Sequence, residues 1–433
     1  MNVLSIGGSD PSAGAGIQHD IKTFYSLGCY GLTVITAITS QNTSNFSAVK
    51  ALPPSTIRSQ IRSILSDFDI SAIKIGMVLT NKTIVVLNSE LKQSRAPIIL
   101  DPVLKSTTGG VLLKKNALKD FKKLLVPTAY AITPNVEEAS VLSGIKINDN
   151  RDLKEASYKI QELGVKNIVV TGYETSKTKI SDFVLSGDVS LTMNSKKIQT
   201  VNHGSGCTFS AALTVGLTEG NNFSDAVRFA KEYTVKSISD VKKIGKGIPI
   251  VEPYNDPTKL ELEQGIKKFC RLHNVVEHIP QCQTNFVYSK PKPKKLDDCV
   301  GVQGRIVKTG NYVTVTGRLT YGASKHVATA VLTINKNFPK IRSAVNLKFD
   351  PKLIKMFQDK GYAVKSYDRR TEPKKVKKKV SSIEWGINNA IKNLKNPCDV
   401  IYHKGDFGKE AMILVFGENP KLVIKKLSDV LDF

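Results

Sequence analysis

The chain has 433 residues, 41% of them hydrophobic and 23% charged, a balance that excludes a disordered chain and suits a globular protein. That length exceeds one ordinary core, so two or three domains are expected. Six Cys at wide spacings, with no CxxC pair, argue against a disulfide scaffold or a structural zinc site, while a formal charge of +25 leaves nucleic acid, polyanionic small ligands or a Lys-rich background open.

In chain order, Val3–Ile6 reads as a short strand, followed by the glycine turn GGSDPSAGAGIQHD and a helix through Ile21–Leu27, a βα unit. Further strands are expected over Gly31–Thr39, Ile73–Met77, Ile98–Leu100, Ala131–Thr133 and Ile168–Thr171, with helices between them at Ile57–Leu65 and Leu153–Leu163. This alternation implies an α/β fold with a mostly parallel sheet flanked by helices on both faces. Polar, Gly and Pro residues gather just past the strand ends. Gly7–Asp10, Gln41, Met77, Asp101, Asn135 and Gly172 are therefore expected on one rim, the edge where open α/β sheets bind ligands.

The stretch NHGSGCTFSAALTVGL, from Asn202 to Leu217, organises this half. Gly204, Ser205 and Gly206 form a flexible run ahead of a helix-compatible apolar segment. A loop feeding a helix presents unpaired N–H groups and partial positive charge, a seat for phosphate. Cys207 stands at its mouth, where a thiol is expected to ionise readily and to take a proton from a substrate hydroxyl. A Gly-rich turn with a small buried Cys remains open. Asp101 and Glu138 are candidate carboxylates for a divalent cation; a turn or cap at Asp101 and an exposed first-turn acid at Glu138 are the alternatives. His19 reads as a helix surface residue, Asp20 as a helix residue, and His203 as a phosphate contact or a capping or packing residue.

Ile250–Pro257 reads as a linker. Beyond it a second α/β domain, with a mixed sheet as one option, is expected from a helix near Leu260–Arg271. An alternating stretch follows over Gly301–Thr320 with Gly310-Asn311 as a hairpin turn, then a helix at Ala323–Thr333 and further elements to Leu431. Arg305 in VQGRIV supplies a planar fork suited to diphosphate, and His326 in GASKHVA stands just inside a helix start. An Arg in a strand is usually surface and a lone His usually structural. The Lys runs at Lys290–Lys295 and Lys374–Lys379 lack interleaved aromatics and read as solvated loops; no nucleic-acid or membrane partner is expected. The first ten residues lack a signal-peptide pattern, and a cytoplasmic location is expected.

The ordered motifs IGGSDPSAGAGIQHDIKTF, VITAITSQNT, IKIGM, LDPV, ITPNVEEA and HGSGCTFSAA resemble the hydroxymethylpyrimidine and phosphomethylpyrimidine kinases of thiamine biosynthesis, which have the ribokinase-like fold. The resemblance covers residues 1–252. It implies two ATP-dependent phosphorylations of 4-amino-5-hydroxymethyl-2-methylpyrimidine, with Mg²⁺. Gln41 would bond the aminopyrimidine edge, Gly8 and Val103 would offer backbone contacts, and Met77 would pack on the ring. Asn135 and Thr171 would lie along the nucleotide, Asp101 and Glu138 would organise Mg²⁺, Gly204, Ser205 and Gly206 would form the anion hole, and Cys207 would be the base. The family's Lys-Gly-Gly run is replaced here by Thr171-Gly172-Tyr173.

After a linker at 253–259, residues 260–433 carry VQGRIV, YGASKHVA, SAVNLKFD, DRRTEP, SSIEWG and DVIYHKGDFGKEAMILVFG, and resemble the archaeal-type thiamine-phosphate synthase domain. This implies condensation of the pyrimidine diphosphate with hydroxyethylthiazole phosphate. Arg305 and His326 would be the essential pair, with Arg369, Arg370, His403 and Asp406 as lesser candidates. The same domain type also serves as a thiamine-phosphate sensor, so a kinase fused to a non-catalytic sensor is the alternative; a kinase acting mainly on pyridoxal is a third. The expected partners are small molecules, with self-association into a homo-oligomer.

Overall fold

The computed structural model describes residues 1–107, 109–200, 202–373, 381–406 and 408–431. The Lys374–Lys379 run lies outside the described residues. The chain divides into two compact units, Met1–Tyr254 and Asn255–Phe433.

The first unit runs β1 (Asn2–Ser9), α1 (Gly16–Ser26), β2 (Tyr30–Gln41), β3 (Phe46–Ala51), α2 (Pro54–Leu65), β4 (Ile70–Ile75), α3 (Asn81–Leu91), β5 (Ile98–Leu100), α4 (Leu118–Asp120), β6 (Ala131–Ile132), α5 (Val136–Ser143), α6 (Asn150–Gln161), β7 (Asn167–Ser176), β8 (Lys179–Ser186), β9 (Val189–Lys196), α7 (Ser205–Thr218) and α8 (Phe223–Ser239). Nine strands form one sheet in the order β3-β2-β1-β4-β5-β6-β7-β8-β9. The six from β2 to β7 pair in parallel, and β3, β8 and β9 pair antiparallel at the edges. The central strands are near-continuous apolar runs because helices cover both faces. β5 is buried at all three residues, and β1 at its six central ones. Strand order reverses between β2 and β4 around β1, the switch point at which such sheets open a crevice.

Helix α7 is buried from Thr208 to Gly216 and carries apolar or small residues all round. Such a helix belongs inside a fold. Phe209 and Leu213 pack with Val227 and Ala230 of α8, while Ala211 and Val215 meet Phe24 and Val3. Burial on all sides fixes its N-terminus against the strand ends. The β8–β9 hairpin and α8 were not anticipated by the sequence reading. The hairpin's outer residues are polar and exposed, so their alternation carries little hydrophobic contrast.

The second unit runs α9 (Pro257–Phe269), β10 (Phe286–Ser289), β11 (Cys299–Val302), β12 (Ile306–Thr309), β13 (Tyr312–Val315), β14 (Leu319–Tyr321), α10 (Lys325–Asn337), β15 (Ser343–Lys348), α11 (Pro351–Asp359), β16 (Val364–Ser366), α12 (Ser382–Ile391), β17 (Val400–His403), β18 (Met412–Gly417) and α13 (Pro420–Leu431). Its helix α9 opens at Pro257, inside the stretch read as linker, because Asp256 caps Thr258 and Lys259 and proline suits the first helical position. A seven-stranded sheet, β14-β11-β10-β15-β18-β17-β16, is mixed: β16 and β17 pair in parallel, the others antiparallel. Alternate strand residues feed two cores. Phe286, Val345 and Val415 pack with α9, α11 and α13, whereas Val287, Ala344 and Phe416 pack with α10 and α12. The two-residue turn at Gly310-Asn311 joins β12 and β13, as read from the sequence.

Candidate functional site

In the first unit the strand ends and the start of α7 enclose a cavity of about 510 Å³. Gly7–Asp10 and Gln41 at the ends of β1 and β2, Met77, Asp101 and Asn135 past β4, β5 and β6, and Gly172 within β7 all line it. So do Gly8, Val103, Glu138, Thr171, Gly204, Ser205, Gly206 and Cys207, which brings every first-unit candidate to one place.

Each wall has a local cause. Gly204 caps α7 at φ +104, a conformation open to glycine, and a side chain there would strike the Gly14 carbonyl. No side chain caps this end, so the first N–H groups of α7 stay available to an anion. Asn135 and Glu138 form a capping box on α5: the Glu138 backbone N–H donates to Asn135 Oδ1 at 2.9 Å, and Asn135 N–H donates to Glu138 Oε2 at 3.0 Å. The exposed acid once possible at Glu138 is thus a buried one. Burial, then the nearby Asp101 charge, pushes its carboxyl up to about 8.

Behind the cavity lies a charge network that the sequence reading did not assemble. Lys74, 1% exposed in β4, donates to Asp20 Oδ1 at 2.7 Å and stands 3.6 Å from Asp101 Oδ2. Ser5 donates to Asp20 at 2.6 Å, and Ser210 of α7 to Asp101 at 2.8 Å. Burial works against the Lys74 charge, but the carboxylates of Asp20 and Asp101 overcome it and hold the ammonium above its ordinary value. Asp20 is therefore half of a buried ion pair rather than an ordinary helix residue. The available signal was a lysine inside the apolar run AIKIG. His19 is not at the helix surface as expected but buried against α7, with Nε2 2.7 Å from Thr208 Oγ1, and burial drives its pKa down to about 3. Lys74→Met is expected to destabilise the first unit by about 3 kcal/mol, since it strands two buried carboxylates. Calorimetry should show a thermal midpoint lower by roughly 6–12 °C.

Cys207 needs a correction. The helix start was expected to ease ionisation of its thiol. Instead, burial of the thiol, with Asp101 and Asp20 nearby, pushes it up to about 12, and the Lys74 ammonium only partly offsets this. The thiol is protonated at neutral pH in the unliganded protein. Near Thr171, the Gly172 N–H donates to Asp182, which pairs with buried Lys231 at 2.7 Å.

In the second unit, Arg305 follows Gly304 with φ +98, the left-handed region that a side-chain-bearing residue adopts at a cost of about 1–2 kcal/mol. Its neighbours enforce it: the Arg305 carbonyl accepts from Thr316 N–H and Oγ1, both at 3.0 Å, and Ile306 exchanges two backbone bonds with Thr284. His326 is the second residue of α10, whose cap Ser324 makes no side-chain capping bond. Burial, then the charges of Arg305, Arg369 and Lys325, lower the His326 pKa, so Arg305, Arg369 and His326 share one neighbourhood. His403 is held at about 4 by burial and then by Arg369 and Lys409, and its ring lies 5.1 Å from Tyr367. The Arg369 charge thus acts on both histidines. Arg370 does not join them: it is exposed and pairs with Asp368 at 2.7 Å, with Asp406 acting on it. Trp385 packs edge-on against Tyr367 at 6.2 Å.

The sequence profile described as phosphomethylpyrimidine kinase matches residues 10–252, and that described as thiamine-phosphate synthase ThiN matches 261–429. The bifunctional thiamine biosynthesis protein ThiDN of Methanocaldococcus jannaschii is 33% identical over 99% of this chain and 97% of its own. A hydroxymethylpyrimidine/phosphomethylpyrimidine kinase of Rhizobium meliloti is 38% identical over 56% of this chain and 93% of its own. Among solved structures, the phosphomethylpyrimidine kinase of Clostridium difficile 630 aligns with a TM-score of 0.50 at 37% identity, over 55% of this chain and 99% of that one. Pyridoxal kinase from Staphylococcus aureus in complex with AMP-PCP aligns at 0.55 and 33%, over 59% and 95%. No helix among the described residues is long and apolar enough to cross a membrane. With both profiles matched in order and one relative aligned end to end, the chain belongs to the family of bifunctional thiamine biosynthesis proteins that join a phosphomethylpyrimidine kinase to a thiamine-phosphate synthase.

Proposed function

We propose that residues 1–252 phosphorylate 4-amino-5-hydroxymethyl-2-methylpyrimidine twice with ATP, and that residues 260–433 condense the resulting diphosphate with hydroxyethylthiazole phosphate. The observation that carries the reading is the convergence of Gln41, the uncapped start of α7 and Cys207, far apart in sequence, on one cavity. The AMP-PCP complex of the pyridoxal kinase relative supports ATP as the donor.

In the kinase, Gln41 bonds the pyrimidine edge, Met77 packs on its ring, and Gly8 and Val103 offer backbone contacts. Asn135 and Thr171 lie along the nucleotide. The N–H groups of Ser205, Gly206 and Cys207 hold the transferring phosphoryl oxygens, whose charge spreads in a loose transition state. The hydroxymethyl oxygen forms the new bond to phosphorus as the bond to the ADP oxygen breaks. The proton leaves that hydroxyl late for the Cys207 sulfur, which accepts it as the thiolate, the form that the Lys74 ammonium favours and that rising pH populates. Asp101 and Glu138 suit Mg²⁺, because a buried carboxyl pushed up to about 8 is relieved by a neighbouring cation. When bound, Mg²⁺ neutralises charge on the β- and γ-phosphates.

In the synthase, the methylene carbon bonds to the thiazole nitrogen while its bond to the diphosphate oxygen breaks. Arg305 and Arg369 receive the negative charge of the leaving group, and neutral His326 donates a hydrogen bond to it. A cytoplasmic location is supported by six free cysteines, and we place the enzyme there as a homo-oligomer. The test is reconstitution. The whole chain, given ATP, Mg²⁺, the pyrimidine alcohol and the thiazole phosphate, is expected to form thiamine phosphate and diphosphate. Leaving out Mg²⁺ should stop the kinase step. Mono- and diphosphorylated pyrimidine without thiamine phosphate would overturn the synthase assignment.

A further inference from the structure

We propose that Glu410 is a positioning residue of the synthase: its carboxylate ties the loop after His403 to the turn that braces Arg305, and so fixes where the guanidinium is carried. This rests on the synthase reading and adds a residue that acts through another.

The peptide between Arg305 and Ile306 is planar, so its carbonyl and its N–H point in opposite directions and one rotation sets both. Both ends are held. The carbonyl accepts from Thr316 N–H and Oγ1, each at 3.0 Å, and the N–H donates to the Thr284 carbonyl at 2.8 Å. Thr284 N–H returns a bond to the Ile306 carbonyl at 3.1 Å. These bonds fix the rotation that follows Arg305 Cα, at a residue already held at φ +98.

Thr284 is buried, but Gln281 and Cys282 just before it are exposed. Their turn is closed by Gln283 N–H, which donates to the Pro280 carbonyl at 2.9 Å, and Gln283 itself sits at φ +69. Asn346 Nδ2 donates to the Gln283 carbonyl at 3.0 Å from one side. From the other side the Glu410 carboxylate accepts from two successive amides: Gln281 N–H to Oε1 at 2.7 Å and Cys282 N–H to Oε2 at 2.9 Å. Bonds to an ionised acceptor are the strong kind, and a two-pronged grip fixes direction as well as place. A strained turn keeps its shape only while such partners hold it.

The loop that carries Glu410 is closed on itself. Gly405 N–H donates to His403 Nδ1 at 3.2 Å, and Asp406 and Lys409 exchange backbone bonds at 3.1 and 2.8 Å. Gly405 lies at φ +83, where a side chain would strike the Lys409 carbonyl. The anchor is therefore set on a defined loop that begins at His403, and its grip on Gln281 and Cys282 links that loop to the Arg305 strand. Without the carboxylate, both amides are exposed enough to bond water, so the fold survives while the brace on Thr284 slackens.

The test uses the whole chain, with the kinase rate of each preparation correcting for the amount of protein. Synthase turnover is measured from the pyrimidine diphosphate and the thiazole phosphate. Glu410→Ala is expected to lower it about tenfold, the scale of a small misplacement of a group that stabilises charge. Glu410→Gln keeps one acceptor and should lose less. The same change is then made in an Arg305→Lys chain. Lysine is a flexible point charge with no fork to aim, so Glu410→Ala there is expected to cost less than threefold. A residue that merely supports the fold would cost the same factor in either background. Equal losses in the two backgrounds would overturn the proposal, and so would a Glu410→Ala chain that makes thiamine phosphate at the wild-type rate. Should Glu410→Ala fail to fold, Glu410→Gln carries the same comparison of backgrounds. Wild-type chain that forms no thiamine phosphate would remove the synthase reading itself, and this proposal with it.

Discussion

Replacing Cys207 with alanine is expected to lower kinase kcat by about 10²–10³, the usual contribution of a positioned proton acceptor. The anion seat is backbone and survives, so KM for ATP should change little. The second diagnostic is pH. With the thiol pushed up to about 12, the protein is below that pKa throughout its working range, and the thiolate fraction grows with each rise in pH. Wild-type turnover should therefore climb from pH 6 to pH 9, and the climb should vanish in Cys207→Ala. Steady-state kinetics on both variants across that range makes the check. A Cys207→Ala enzyme with full activity and an unchanged pH profile would remove the base assignment while leaving the fold and the seat untouched.

Arg305→Gly should abolish synthase turnover, by about 10²–10³ from loss of one charged donor to the leaving diphosphate, while leaving the protein at least as stable. The pairing of outcomes follows from the backbone. At φ +98, arginine carries a local cost that glycine does not, so the substitution relieves strain of about 1 kcal/mol while removing the guanidinium. A residue kept only for structure would behave in the opposite way. Arg305→Lys keeps the charge and loses the two-pronged geometry, and its rate should fall between the two. Thermal unfolding alongside a thiamine-phosphate formation assay on the full chain decides this, and kinase activity in the same preparations should be unchanged. Strain of this kind persists only where surrounding structure over-determines it, as the Thr284 and Thr316 bonds do here.

Both predictions draw on residues that stood out in the chain, because each sits in a pattern with chemical meaning: a glycine run ahead of an apolar helix, and an arginine after a glycine at a strand start. The strand-end rule also placed Gln41, Met77 and Asp101 on a common rim, since parallel strands all point their C-terminal ends the same way. The lesser candidates show where such reading stops. Arg369 and Arg370 are neighbours, yet Arg369 acts on His326 and His403 while Arg370 turns outward to Asp368. Adjacency cannot say which of two arginines faces a site. His19 and Asp20 were read as helix residues because a helix has both a wet and a dry face, and only the partner elements decide between them. His19 meets Thr208, and Asp20 meets Lys74, 54 positions away.

By itself the sequence determined the two α/β units, the parallel sheet with its loops on one edge, the glycine-lined helix start and the identity of most groups around the cavity. These depend on local periodicity and on turn chemistry, which neighbouring residues carry. Tertiary structure alone decided the protonation state of Cys207, the buried Asp20–Lys74–Asp101 network and which of Arg369 and Arg370 acts on the two histidines. Each of those is a matter of through-space charge and desolvation between residues distant in the chain, and such energies exist only once packing has removed the water between them.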